Sequence, residues 1–455
     1  MSNLTEVKQE QLSALIDSGE RQRLRMLLND QHPADLAEWF QEMEPERRLS
    51  CFRLLDLDNA SAVLAELDTD HQRALLKDLG DMGVVPIISA MSPDDAVDLL
   101  GELPEDKASS IISQMADNEA AGELVELMSF KDDSAGGIMS TDYLAVNASM
   151  RADEALLHLR ETYKRDEEEI YDLFVVDAEE KLVGWLSVKE LLMAPADANV
   201  ESLMDTNMIM VSVDTDQEEA AEKIQKYDLL TLPVVDSEGK LRGIITADDA
   251  IDVIEEEADE DIYKSSGIEV DSELSENLVS NVRQAFKARI PWLVVTLVIE
   301  SGSAMVITHF DAVIKQTVIA ASFMPLLTSL TGSVAMQSTC ITLRAQKKIS
   351  WKSTFKTLWH EARVGALLGT VCGILAYGLS YALKQQGGQT LGIVVAASLL
   401  ITMSVGVMIG TLIPVMFERI GIEPAHASGP LITSILDVCT MTIYLSIVHA
   451  FLSII

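Results

Sequence analysis

The chain has little cysteine. Cys51, Cys340, Cys372 and Cys439 are scattered through 455 residues without paired spacing. That argues against a disulfide framework and a thiolate zinc site. A phosphate-binding glycine loop, a zinc-ligand spacing and a nucleophile motif are also missing, so hydrolysis and group transfer have no support and the chain reads as a non-enzyme. The first ten residues are polar, and no cleaved signal peptide is expected. Basic residues are scarce over the first 276 positions, which hold 22 Lys+Arg against 66 Asp+Glu. An acidic surface of that density repels nucleic acid and attracts counter-cations. Residues 277–455 reverse the balance, with 12 Lys+Arg against 6 Asp+Glu. A soluble acidic half, expected in the cytosol, therefore precedes an apolar, mildly basic half.

Residues 1–135 read as short amphipathic helices. Apolar residues recur at helical spacing in Leu49, Phe52, Leu54, Leu55 and in Ala96, Leu99, Leu100. His32-Pro33 and Ser92-Pro93 mark helix starts. A loose repeat (Pro33-Ala-Asp-Leu-Ala-Glu, Asp94-Asp-Ala-Val-Asp-Leu-Leu, Asn118-Glu-Ala-Ala-Gly-Glu-Leu) suggests a small α-superhelix.

Two units follow, at 136–200 and 201–255, each ordered strand, helix, two strands joined by a turn, helix. In the second, Met210–Val213 leads to a helix at Gln217, then Thr231–Asp236 and Leu241–Thr246 flank the turn Ser237-Glu-Gly239. In the first, Tyr143–Val146, Ala152–Tyr163, Leu173–Asp177 and Leu182–Ser187 take the same places. This resembles a tandem pair of CBS domains, and the resemblance implies that ATP or another adenine nucleotide binds between them. An acidic run through Asp249, Asp252, Glu257, Glu260 and Asp261 continues as helix and breaks near Ser265-Ser-Gly267. A connecting, plug-like segment at 256–289, with a second helix from about Glu273 to Ala288, then enters the membrane half.

Residues 290–455 contain five runs long enough to cross about 30 Å of hydrocarbon: about 291–309, 314–341, 361–383, 390–416 and 427–453. Arg344, Lys347, Lys348, Lys352, Lys356 and Arg363 surround the second connection. That asymmetry places the N-terminus in the cytoplasm and, with five spans, the C-terminus outside. Asp437 lies in the last span, where a carboxylate costs about 2.5–3.5 kcal/mol and marks a function. On a helix it shares a face with Thr433, Ser434, Thr440, Met441 and Tyr444, a polar stripe expected to form a water-lined wall. An oxygen ligand of this kind suits Mg2+ held through its water shell, especially if a symmetric homodimer brings two copies together. The second span carries Pro325, Gly332 and seven Ser, Thr or Gln residues between Met324 and Thr339, so Ser333 and Gln337 are expected on the opposite wall.

At this point the whole chain resembles the MgtE magnesium channels, a family related to eukaryotic solute carriers that move Mg2+. Asp133-Ser-Ala-Gly-Gly-Ile-Met139 resembles the junction into the first CBS unit, and Arg289-Ile-Pro-Trp-Leu293 the start of the first span. Glu423-Pro-Ala-His-Ala-Ser-Gly-Pro430, with Asp437 and Ile443-Tyr444, resembles the last span, whose Asp is the family's pore ion ligand. The family's second span usually reads P-V-V-x-G-x-G-G-N-x-G-x-Q. Here Ser329, Thr331, Ser333 and Ala335 replace three glycines and the Asn, and Met336 replaces a small residue. Glu300 is an additional acid inside the first span, either lining the ion path or bonded within the bundle.

The expected fold is thus a multidomain membrane protein: a helical superhelix, an α/β tandem CBS pair, a connecting acidic helix and a five-helix transmembrane domain. The expected function is a Mg2+ or other divalent-cation channel of the inner membrane. Asp437 holds the pore ion, and Thr433, Thr440, Ser333, Gln337 and Glu300 line its path. Divalent cations would draw the mutually repelling acids Asp249, Asp252, Glu257, Glu260 and Asp261 together and close the pore. Alternatives are a Co2+ or other divalent carrier or exporter, and a membrane-anchored CBS nucleotide or ion sensor without transport.

Overall fold

The computed structural model describes residues 20–162, 172–268, 282–345, 351–382, 388–426 and 429–451, with Leu12, Leu15 and Ile16 near the start. The chain divides into two compact units, Met1–Ile254 and Glu255–Ile455.

The first unit opens with nine described helices, α1 (Arg21–Leu28) to α9 (Asn118–Leu127). Their starts are chemically marked. Pro33 occupies the first turn of α2 (Pro33–Gln41), behind His32, whose ring accepts from Ala34 N. Asp56 and Asp68 cap the two helices starting at Leu57 and Thr69 by accepting backbone N–H bonds. Such caps satisfy amide donors that have no partner inside the helix. Each helix buries one apolar stripe, as in Leu36, Ala37, Trp39 and Phe40 of α2.

Two three-stranded sheets follow, each of the same build. β1 (Ala145–Asn147) pairs parallel with β2 (Asp172–Val176), which pairs antiparallel with β3 (Leu182–Ser187). Helix α10 (Ala152–Thr162) connects β1 to β2, and α11 (Val188–Met193) and α12 (Val200–Leu203) follow β3. Then β4 (Val211–Ser212), α13 (Gln217–Tyr227), β5 (Thr231–Val235) and β6 (Leu241–Thr246) repeat the pattern, down to a register shift at the equivalent place, Val175/Val176 and Val234/Val235. The two sheets meet through Phe174, Leu182, Val235, Leu241 and Ile244. Tyr163, expected to end α10, lies outside the described residues. The core of the second sheet is continuous with that of the helical region: Leu232, Val234, Ile245 and Val253 join Leu99, Leu100 and Leu127 in one cluster.

Helix α14 (Ala247–Ser265) carries the acidic run and ends where Gly267 takes φ +73°, a left-handed turn that favours glycine. Residues 273–281 of the expected second connecting helix lie outside the described residues. From Val282 to His309 the helix α15 runs unbroken, so the connector's last turns and the first span are one helix.

Among the described residues, five helices are long and apolar enough to cross a membrane, at Val282–His309, Val318–Arg344, Thr354–Ala382, Gln389–Arg419 and Gly429–Ala450. The second differs from expectation at its start. The short helices α16 (Asp311–Gln316) and α17 (Val318–Ala321) precede α18 (Met324–Ala345), broken at Thr317 by a non-helical φ of −134°. Pro325 fits because it falls in the first turn of α18, where no N–H partner is lost. Helices α19 (Trp351–Ala382), α20 (Gly388–Arg419) and α21 (Gly429–Ala450) complete the bundle. Glycines set the closest approach. A Cβ on Gly369 would lie 2.7 Å from Leu400 Cα, so α19 and α20 pack backbone to backbone.

Candidate ion path and cation-sensing site

Helix α21 lies between α15 and α18. A Cβ on Gly302 would lie 3.1 Å from Val438 Cγ2, which puts Glu300 level with Asp437 and in Coulombic range of it. On the other side, Gly332 faces Thr433 and Met336 faces Gly429. These pairs run in opposite senses, so α18 is antiparallel to α21, and Asp437 is level with Thr328 and Ser329. Gln337 then lies about 12 Å farther along the axis, by 1.5 Å per residue.

Asp437 and Thr433 are half-buried, and Glu300, Ser329, Ser333 and Gln337 are exposed on the single chain. Ser329, Ser333 and Gln337 recur every fourth residue and form one stripe of α18. Thr433 Oγ1 and Ser333 Oγ donate to backbone carbonyls one turn back, which leaves their oxygen lone pairs available. A polar seam therefore opens on one face of an apolar bundle, with two carboxylates at one depth. Such a seam in lipid requires water, a cation or a second protein surface.

Other residues of the expected wall sit elsewhere. Thr440 is 1% exposed and Ser434 and Met441 are buried, so they face the bundle within this chain. Tyr444 is fully buried and its hydroxyl donates to Ala320 O at 2.8 Å, so it anchors α17 instead of lining water. The second-span substitutions divide. Thr331 and Ala335 are fully buried and pack on Gly406 and Gly410 of α20, and Thr331 Oγ1 donates to Thr402 Oγ1 at 3.1 Å. Only Ser329 and Ser333, with Met336 at the seam's edge, change the polar face. The carboxylate that periodicity missed is Glu361, 9% exposed inside the bundle. Its only sequence signal was an acid at the first position of the expected third span.

In the first unit, the N-terminal turn of α7 (Pro93–Gly101) faces the start of α14. Asp249 closes that start: Thr246 N–H donates to its Oδ2 at 3.2 Å and Thr246 Oγ1 makes a short bond to the same oxygen. Burial, then the charge of Asp94, pushes the Asp249 carboxyl up to about 6. Burial and Asp95 likewise raise Asp94, and burial raises Asp95 against a bond from Ser92 Oγ at 2.7 Å. Asp94 Oδ1 is buried without a hydrogen-bond partner. An orphaned, desolvated carboxylate oxygen beside two more carboxylates is an environment that a hard divalent cation would relieve. Asp94 and Asp95 were missed because a helix-start Asp reads as a cap.

Asp248, exposed in the first turn of α14, adds its charge to Asp249 and Asp95, but the later acids of α14 do not join this group. Asp252 is exposed and Glu257 half-buried. In the second unit, Lys264 Nζ bridges Glu260 Oε1 at 2.5 Å and Glu423 Oε2 at 2.6 Å. Burial and then Glu423 raise Asp261. Among the described residues, no three His, Cys, Asp or Glu side chains converge closely enough to hold a metal by themselves. Direct ligation would thus need backbone oxygens, water or a second chain.

Family models match three parts of the chain: the MgtE intracellular N domain at residues 31–133, the CBS domain at 135–197 and 200–256, and a divalent cation transporter, MgtE, at 324–447. The magnesium transporter MgtE of Bacillus subtilis is 32% identical over 442 residues, 96% of each chain. The chain belongs to the MgtE family. The magnesium transporter MgtE of Thermus thermophilus is 31% identical over 446 residues, 97% of this chain and 98% of the relative. Among solved structures, the cytosolic domain of the Mg2+ channel MgtE in complex with ATP is 35% identical, with a TM-score of 0.51, and covers 53% of this chain and 98% of its own. The soluble part of a magnesium transporter, 28% identical with a TM-score of 0.52, covers 56% and 99%. These matches give the MgtE-family chain its helical N domain, CBS pair and membrane domain as one inherited arrangement.

Proposed function

We propose that this MgtE-family chain conducts Mg2+ across the inner membrane through a path lined by Asp437. The observation that carries this reading is the exposed seam, with Asp437, Glu300, Thr433 and Ser333 on one side of an otherwise apolar bundle. A seam open on one chain is closed by a second copy, so the active form is a homodimer with the seams facing. Asp437 holds the hydrated ion through its water shell and Glu300 adds field strength at the same depth. Gln337 lines the path nearer the connector. Thr440 contributes only through packing in the single chain. The N-terminus lies in the cytoplasm and the C-terminus outside, following the basic second connection.

Cytosolic Mg2+ regulates this path. Asp94, Asp95 and Asp249 repel one another at the contact between helical region and CBS pair, and a divalent cation there favours the closed packing. Asp261, Glu260 and Glu423 offer a second such place at the connector, with Lys264 already supplying one positive charge. A relative's cytosolic domain binds ATP, and this chain's CBS pair shares its fold, so ATP is the expected nucleotide. Mg2+ uptake into proteoliposomes tests the reading. Asp437→Ala is expected to abolish uptake, and normal uptake by that variant refutes the path.

A further inference from the structure

Glu361 is the one carboxylate buried among the described residues. Its Oε2 accepts from Ser338 Oγ at 2.7 Å, and Ser338 Oγ lies 3.0 Å from Thr411 Oγ1. Thr411 Oγ1 also donates to Val407 O at 2.9 Å. His360 Nδ1 is 3.4 Å from Glu361 Oε1. One polar side chain from each of α18, α19 and α20 thus meets in a single clasp. The proton of Ser338 serves the carboxylate, and the single proton of Thr411 is shared between Val407 O and the Ser338 oxygen. A buried carboxylate that accepts such a bond is held firmly, whereas its removal takes from Ser338 its acceptor on α19.

The clasp's location gives it leverage. Ser338 is two residues beyond Met336, about 200° around α18 at 100° per residue. Met336 therefore faces away from the clasp. It packs where α21 begins: a Cβ on Gly429 would lie 2.7 Å from Met336 Cε and 3.7 Å from Ser265 O, at the end of α14. Glu361, beside the Thr331–Thr402 and Thr339–Gly410 bonds, ties α18 to its neighbours, and Met336 meets Gly429 on the far side of the helix.

We propose that Glu361 is a positioning residue for ion passage, setting through Ser338 and Thr411 the rotation of α18 and hence the Met336–Gly429 gap at the connector end of the seam. This rests on the seam being the conduction path. The hydrogen bonds, not the charge, do the positioning, so glutamine suffices and alanine does not.

The test uses the full chain in liposomes with two readouts. The first is the disulfide-formation rate between Met336→Cys and Gly429→Cys, with the four native cysteines replaced. The second is Mg2+ uptake and its half-saturating concentration, measured without the introduced pair. Loss of a hydrogen bond to a charged group implies that Glu361→Ala changes each readout about tenfold. Glu361→Gln should stay within about twofold to threefold of wild type, since the acceptor oxygen remains. Ser338→Ala should move both readouts in the direction of Glu361→Ala, and the double variant should go no further. Wild-type cross-linking and uptake in Glu361→Ala overturn the proposal, and so does Glu361→Gln as impaired as Glu361→Ala. If Glu361→Ala does not fold, Ser338→Ala decides on the same readouts. Normal uptake by Asp437→Asn would instead remove the path, while the cross-linking rate still judges the clasp.

Discussion

The carboxylate group at α7 and α14 makes a counterintuitive prediction: in chelator, the amino-terminal unit loses stability as pH rises toward neutrality. Asp249 titrates at about 6, against 3.8 for a free carboxyl. The folded state binds this proton more tightly than the unfolded state, so protonation favours folding. The stabilisation is complete below about 3.8 and is lost as pH rises through about 6. A shift of that size corresponds to ~3 kcal/mol at most. About half survives at pH 5 and almost none at pH 7.5, so ~1.5 kcal/mol is lost between them. At roughly 2–4 °C per kcal/mol for a unit of this size, Tm falls by about 3–6 °C. Asp94 and Asp249 titrate as a coupled pair, so the slope belongs to both. The assay is thermal unfolding of residues 1–268 in chelator, a region that relatives yield as a crystallisable soluble part. Other carboxylates also titrate, and Asp249→Asn isolates this one. The variant should flatten the pH dependence and be more stable than wild type at pH 7.5 without divalent cation. Millimolar Mg2+ should raise the wild-type Tm at pH 7.5, have less effect at pH 5, and lose most of its effect in the variant. A wild-type Tm that falls no more than that of Asp249→Asn between these pH values refutes the reasoning.

In the membrane unit, Glu300→Gln should lower apparent Mg2+ affinity in liposome uptake several-fold while Asp437→Asn abolishes uptake. Equal, intact affinity in Glu300→Gln would remove Glu300 from the path. A Cβ on Gly410 would collide with Ala335 O, whereas Gly378 has open space. Gly410→Ala should therefore destabilise the detergent-solubilised bundle by about 1–3 kcal/mol in thermal scanning, and Gly378→Ala should not. Tyr444→Phe should cost about 0.5–1.5 kcal/mol by removing one bond to Ala320 O, which keeps the backbone N–H of Phe323 as a partner. An unchanged transition would mean that the Tyr444 hydroxyl adds nothing to the anchoring of α17.

Much of the architecture was legible because its signals are local. Apolar length gave the five spans, and strand spacing with turn chemistry gave two units of one order, which resemblance matched to CBS domains. Prolines and aspartates marked the helix starts in the first region. The sharp end of α14 at Gly267 was legible for the same reason. Asp437 also stood out, because a lone acid in an apolar run is conspicuous whatever surrounds it.

Which face meets which was not written in any one segment. Helical spacing placed Tyr444 and Thr440 on the stripe of Asp437, but a stripe that follows i+3 and i+4 steps drifts around the helix, and neighbours bury its far end. Thr331 and Ala335 looked like changes to the ion path, yet glycines some 70 residues later, Gly406 and Gly410, take them up in the packing. Asp94 looked like a cap until α14 was set against it. The sequence by itself determined the kinds of elements, their number and the conspicuous carboxylate, because these follow from hydropathy and backbone chemistry within a few residues. Only the tertiary structure decided that Glu300 shares the depth of Asp437, that Asp94 joins Asp249 and that Glu361 ties three helices, because helix rotation and register are settled by packing between segments far apart in the chain.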